Sequence, residues 1–116
     1  VEDIIPCAGQ GIIAIQCRED DTEIRELLEN INDLNSRIVA TAEREVLKIL
    51  DGDCDTAVGV YANINNGKVD LAVELFSVDG KQRYFLKDRS EIDQIKISSR
   101  TIGEKLKQQS KGSYKN

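Results

Sequence analysis

Two periodicities divide the chain. Between residues 22 and 50 apolar side chains recur at helical spacing, whereas between 57 and 87 they alternate at every second position. Ile24, Leu27, Leu28 and Ile31 fall at i, i+3, i+4 and i+7, one face of a first helix. Asp20 or Asp21 is placed to cap it, and Asp20 with Glu23 has the spacing of a capping box. A polar break at 30–35 supplies two more capping candidates, Asn32 and Asp33. It leads into the strongest helical pattern, about Leu34 to Leu50, with Ile38, Val39, Ala42, Val46, Ile49 and Leu50 as its apolar stripe. Arg37, Glu43, Arg44, Glu45 and Lys48 are placed largely off that stripe, and Gly52 ends the helix.

After Gly52 the pattern becomes that of strands. Val58, Val60, Ala62 and Ile64 share one face of the first, which ends at Asn65-Asn66-Gly67. Asn-Gly tolerates the positive φ angles of a type I′ hairpin turn. Val69, Leu71, Val73 and Leu75 form the apolar face of the second strand, Asp79-Gly80 signals another turn, and a third strand is predicted over roughly Gln82 to Lys87. Three strands in meander order make an antiparallel sheet with one apolar face, which needs a helical cover. The Leu34–Leu50 helix and a C-terminal helix over about Ile92–Gln109, bearing Ile95, Ile102 and Leu106, can provide it. Residues 110–116 read as a frayed polar tail. The fold class is therefore α+β.

The first 17 residues fit less easily. Residues 1–11 read as extended, broken by Pro6 and by Gly9-Gln10-Gly11; this glycine pair suits a tight turn and lacks the later glycine or the lysine of phosphate-binding loops. Gly11–Cys17 is apolar and β-branched at strand length, a strand wanting cover on both faces that this chain does not supply. Together with a start at Val1, this suggests that the chain is a piece of something longer.

Composition narrows the chemistry. The chain has 116 residues, 40% apolar and 32% charged, enough for one ordinary domain. A net charge of −5 argues against nucleic-acid partners and against anionic membranes. Three cysteines, Cys7, Cys17 and Cys54, are too scattered for a disulfide framework and point to a reducing cytosol. With no histidine there is no Ser-His or Cys-His pair, and no CxxC supports a metal site. Chemistry is left to Cys, carboxylates, Lys, Arg or a cofactor. Cys54 sits on a polar turn between helix and strand, where both a reactive and an inert thiol are found.

Four segments in register carry a resemblance. Pro6-Cys7-Ala8-Gly9-Gln10-Gly11, Ile15-Gln16-Cys17-Arg18-Glu19-Asp20-Asp21, Thr41-Ala42-Glu43-Arg44, and Gly52-Asp53-Cys54 with Gly59 and Tyr61 resemble the porphobilinogen deaminases, or hydroxymethylbilane synthases. Those show a PAxGQG loop, an ECRxDD strand end, a TAER helix segment and a GGCQxPxG loop. The resemblance spans about residues 4–90 and, more loosely, the last helix. It implies that residues 1–32 are the return segment of a first domain plus a connecting helix, and that 33–116 are the C-terminal cofactor-carrying domain. It implies a cytoplasmic transferase of haem and tetrapyrrole biosynthesis, a monomer when full-length. Such an enzyme joins four porphobilinogen units, with loss of ammonia, onto a cysteine-linked dipyrromethane primer.

Carried over, Cys54 is the thioether attachment residue, and Arg18, Arg44 and Gln10 are candidates to sit near the cofactor. The family's catalytic aspartate and most of the basic residues that hold substrate carboxylates belong to the first two domains, so this piece alone is expected to be inactive. The loop departs from the family pattern: Asp53, Asp55 and Ala57 stand where Gly, Gln and Pro are usual. Asp51, Asp53 and Asp55 around one thiol are expected to raise its pKa and to repel a polycarboxylate, unless basic groups from upstream domains offset them.

Overall fold

The computed structural model describes residues 3–116. The order of elements is α1 (Thr22–Glu29), α2 (Leu34–Leu50), β1 (Val58–Asn65), β2 (Lys68–Phe76), β3 (Arg83–Glu91) and α3 (Ile95–Ser110), the last entered through a short 3-10 turn at Ile92–Gln94. The strands form one antiparallel sheet in the order β1-β2-β3. Asn66 and Gly67, both at positive φ, close the first hairpin between the Asn65–Lys68 pair. Register then stacks Val60, Val73 and Leu86 across the three strands.

On that face Val60, Ala62, Val69, Leu71, Val73 and Leu75 are buried beneath Ala42, Val46 and Leu50 of α2 and Ile95, Ile102 and Leu106 of α3. The α+β arrangement read from the pattern is the one observed. α2 starts where Asp33 accepts the Ser36 amide at 3.0 Å, and α1 where Asp21, rather than Asp20, accepts that of Ile24 at 3.1 Å. α2 and α3 lie close: Ser99 donates to the Ala42 carbonyl at 2.9 Å, and a Cβ on Gly103 would stand 2.7 Å from Ile49 Cγ2.

Four sequence expectations are revised. The Gly11–Cys17 segment forms no strand, because a ladder needs a second chain segment beside it and none pairs with it among the described residues. β3 runs on to Glu91, since Arg89 and Glu91 pair across it with Asp70 and Lys68. Glu43 is not on a solvated face of α2 but is 4% exposed. The tail is not frayed: Lys111, at φ 49°, turns the chain back after α3 and Tyr114 enters the core at 4% exposure.

Candidate functional site

α2 delivers its C-terminus directly to the Cys54 loop. Asp51 caps the helix in the left-handed conformation (φ 49°), and the chain then turns through residues 52–57 into β1. The turn is built on Asp53. Its Oδ1 accepts the Asp55 amide and the Thr56 hydroxyl, each at 3.0 Å, while the Asp53 amide donates to Thr56 Oγ1 at 3.1 Å. These bonds, that from the Thr56 hydroxyl foremost, hold the Asp53 carboxyl below the usual carboxylate range. Asp53, at the position where the resemblance would place glycine, thus supplies the internal acceptor of the loop. Cys54 lies at the tip of this turn, exposed and unbridged.

A second feature joins the Pro6–Gly11 loop to this domain. The buried Glu43 carboxylate accepts from the Gly9 amide at 2.6 Å and from the Ala62 amide at 2.9 Å. Ala62 lies on the outer edge of β1, where the Val60 amide is likewise satisfied, by the Pro6 carbonyl at 2.8 Å. The N-terminal segment therefore covers an edge that would otherwise expose unpaired amides. Gly59 makes the approach possible, since a Cβ there would stand 2.6 Å from the Ile5 carbonyl oxygen. Gly9 and Gly11 both take positive φ in a tight turn, and Gly9 spends its amide on Glu43.

The four sequence candidates separate. Gln10 and Arg44 each lie one residue along from the Gly9–Glu43 hydrogen bond, so the fold brings their backbones to one place. Gln10 Oε1 accepts from the Cys7 thiol at 3.1 Å, while Arg44 is exposed with no ion pair among the described residues. Arg18 is tied instead to Asp21 at 3.5 Å at the start of α1. Among the described residues no hydrogen bond or ion pair links Arg18, Arg44 or Gln10 to the Cys54 loop.

Sequence reasoning missed two groups. Glu43 was visible only as part of the TAER segment; one further signal was its place next to Ala42, inside the stripe that Ala42 and Val46 define. The other is the set of Lys107, Tyr114 and Lys115, which reach the stem of the Cys54 loop from the far end of the chain. Tyr114 donates its hydroxyl to the Leu50 carbonyl at 3.0 Å, and the two ammonium groups lie 3.8 and 3.7 Å from Asp51 Oδ2. Of the basic groups that could offset the acidic loop, this chain itself supplies two.

An α+β domain with one open sheet face and a thiol displayed on its helix-to-strand turn is the class these features define. The family model for the C-terminal domain of porphobilinogen deaminase matches residues 38–109. The probable porphobilinogen deaminase of Nitrosopumilus maritimus (strain SCM1) is 37% identical over 107 residues, covering 92% of this chain and 34% of that protein. The porphobilinogen deaminase of Exiguobacterium sibiricum is 40% identical over 106 residues, 90% of this chain and 34% of its own length. That of Geobacillus kaustophilus is 39% identical over 80 residues, 69% and 26% respectively. The chain belongs to the porphobilinogen deaminase family, matching its C-terminal domain. It spans about a third of the length of the first two of these relatives.

Proposed function

We propose that this chain is the primer-carrying part of a hydroxymethylbilane synthase, with Cys54 as the residue to which dipyrromethane is attached by a thioether. In this reading residues 1–32 return through a first domain, 33–116 are the third domain, and porphobilinogen and the growing polypyrrole bind between the domains. When bound, dipyrromethane supplies the primer onto which four porphobilinogen units are joined with loss of ammonia, the linear product leaving by hydrolysis. The observation that carries the reading is the exposed Cys54 thiol, in a chain of this family, at the tip of a loop with well-bonded walls.

The fit to such a group rests on the chemistry of the donor. An exposed thiol can lose its proton to water, and the thiolate would give its electron pair to the methylene carbon of an aminomethyl pyrrole, the C–S bond forming as the C–N bond breaks and ammonia leaves. Cys54 then serves as an anchor and neither gives nor takes a proton during turnover. Arg44, exposed and without a carboxylate partner among the described residues, is suited to a substrate acetate or propionate. Arg18, engaged by Asp21, is less so. Gln10 would be held at the cleft by the Gly9–Glu43 bond beside it.

A second reading is favoured by Asp53 and Asp55: a non-catalytic module in which Cys54 is inert, the loop carboxylates turning away an anionic primer. Porphobilinogen consumption separates the two. The 116-residue chain alone is expected to consume none. The same chain joined to its upstream domains is expected to be active, with activity lost on Cys54→Ser and retained in Cys7→Ser and Cys17→Ser. Folded protein with all its domains that turns over no porphobilinogen would favour the inert module.

A further inference from the structure

The C-terminal tail converges on the residues that lead into Cys54. Tyr114, buried, holds the carbonyl of Leu50, the last residue of α2. Lys107 of α3 and Lys115 next to Tyr114 both face the Asp51 carboxylate, at 3.8 and 3.7 Å. The tail is fixed in turn by the Val78 amide, which donates to the Ser113 carbonyl at 2.9 Å, and by a 3.2 Å contact between the Tyr84 and Ser113 hydroxyls. Lys115 also contributes to holding the Asp53 carboxyl low, behind the larger effects of the Thr56 and Asp55 hydrogen bonds.

Such exposed ion pairs contribute little to stability. Their sign is what matters here. Asp51, Asp53 and Asp55 give the loop three negative charges around one thiol. A pyrrole bearing acetate and propionate groups is anionic, so it meets that field before it meets the sulfur. Two ammonium groups set against the stem offset it over about a Debye length, ~8–10 Å at ordinary ionic strength.

We propose that Lys107, Tyr114 and Lys115 are positioning residues for the Cys54 loop: Tyr114 pins its stem, and the two lysines balance its carboxylates so that an anionic, carboxylate-bearing pyrrole can reach the thiol. The identity of that anion rests on the function proposed above; the local charge balance does not.

The test compares two alkylating reagents of similar size on the 116-residue chain, iodoacetamide (neutral) and iodoacetate (anionic), reading each cysteine by peptide mass spectrometry. The ratio of the two rates at one thiol cancels changes in its exposure and nucleophilicity and leaves the local field. Lys115→Gln is expected to lower the iodoacetate-to-iodoacetamide ratio at Cys54 about twofold, and the Lys107→Gln, Lys115→Gln pair by a further factor of about two. Ratios at Cys7 and Cys17 should stay fixed. Lys105→Gln, which makes the same change of net charge elsewhere on α3, should leave Cys54 unchanged.

An unaltered ratio at Cys54 in the double variant, or an equal fall in Lys105→Gln, overturns the inference. Tyr114→Phe, which removes only the hydroxyl, is expected to raise both alkylation rates at Cys54 about equally by loosening the stem; unchanged rates would remove Tyr114 from the set. Loading of the protein with its upstream domains by porphobilinogen is followed in parallel by intact mass. A wild-type protein that never loads overturns the primer reading, while the ratio still decides the charge balance.

Discussion

Glu43 shows how much one side chain can organise. A buried carboxylate with two backbone donors ties α2 to β1, the next element, and to the Pro6–Gly11 loop far upstream in sequence. Glu43→Ala leaves two amides without their acceptor and is expected to cost about 3 kcal/mol in denaturant unfolding. Glu43→Gln keeps one acceptor oxygen and should cost roughly half as much. An alanine loss well under ~1 kcal/mol would show that the loop is held by something else. The acidic residues make a separate prediction. Asp33, Asp53 and Asp79 are each held below the usual carboxylate range, first by hydrogen bonds from Ser36, Thr56 and Ser77 respectively. A carboxyl whose folded pKa is depressed contributes stability above its unfolded value, about 3.9, and loses it as pH falls through the folded value. The melting midpoint should therefore be nearly level from pH 7 to about 5 and fall below about pH 4. A midpoint that rises on acidification through that window would contradict this.

The elements were legible where periodicity carried them. Leu34–Leu50 and the two hairpins could be read because an apolar stripe and an Asn-Gly turn are local signals. The tail could not. One tyrosine among lysines, serine and glycine has no period, and its burial depends on Lys111 turning the chain back toward α2. Nor does helical spacing foretell Gly103, where α3 lies against Ile49. Removing a helical glycine ordinarily gains about 1 kcal/mol. At this position the added methyl would meet both Cβ and Cγ2 of Ile49 within 2.8 Å, neither the end of a flexible chain. Overpacking of that kind costs about 1–3 kcal/mol, so Gly103→Ala is expected to be net destabilising by chemical denaturation. A stabilised variant would mean that the α2–α3 contact relaxes freely. Of the candidate site, Cys54 and its loop were readable from the motif, but the link of the loop's stem to Lys107 and Lys115 joins residues more than fifty positions apart and needed the fold.

At the scale of the whole molecule the two ends of the chain behave differently. Beyond residue 33 the apolar face of every helix finds the sheet, and the tail closes over it. Before it, α1 has no buried residue: Leu27 is 58% exposed, and Ile31, just past its end, is 67% exposed and lines one groove with Ile13 and Ile15, at 88% and 58%. Exposed apolar side chains grouped in this way mark an interaction surface. In the function proposed above, the upstream domain to which residues 1–32 are assigned would cover that surface, with the Gly9–Glu43 bond as the fastening between the two parts. Cys54 itself lies at the end of a loop stiffened by Asp53 and backed by the tail. Intact-mass spectrometry of the protein with its upstream domains asks directly whether that thiol carries a primer. We expect a mass above that of the polypeptide by one dipyrromethane unit, absent from Cys54→Ser and retained in Cys7→Ser and Cys17→Ser. Folded protein of unmodified mass, still unmodified after incubation with porphobilinogen, would contradict it.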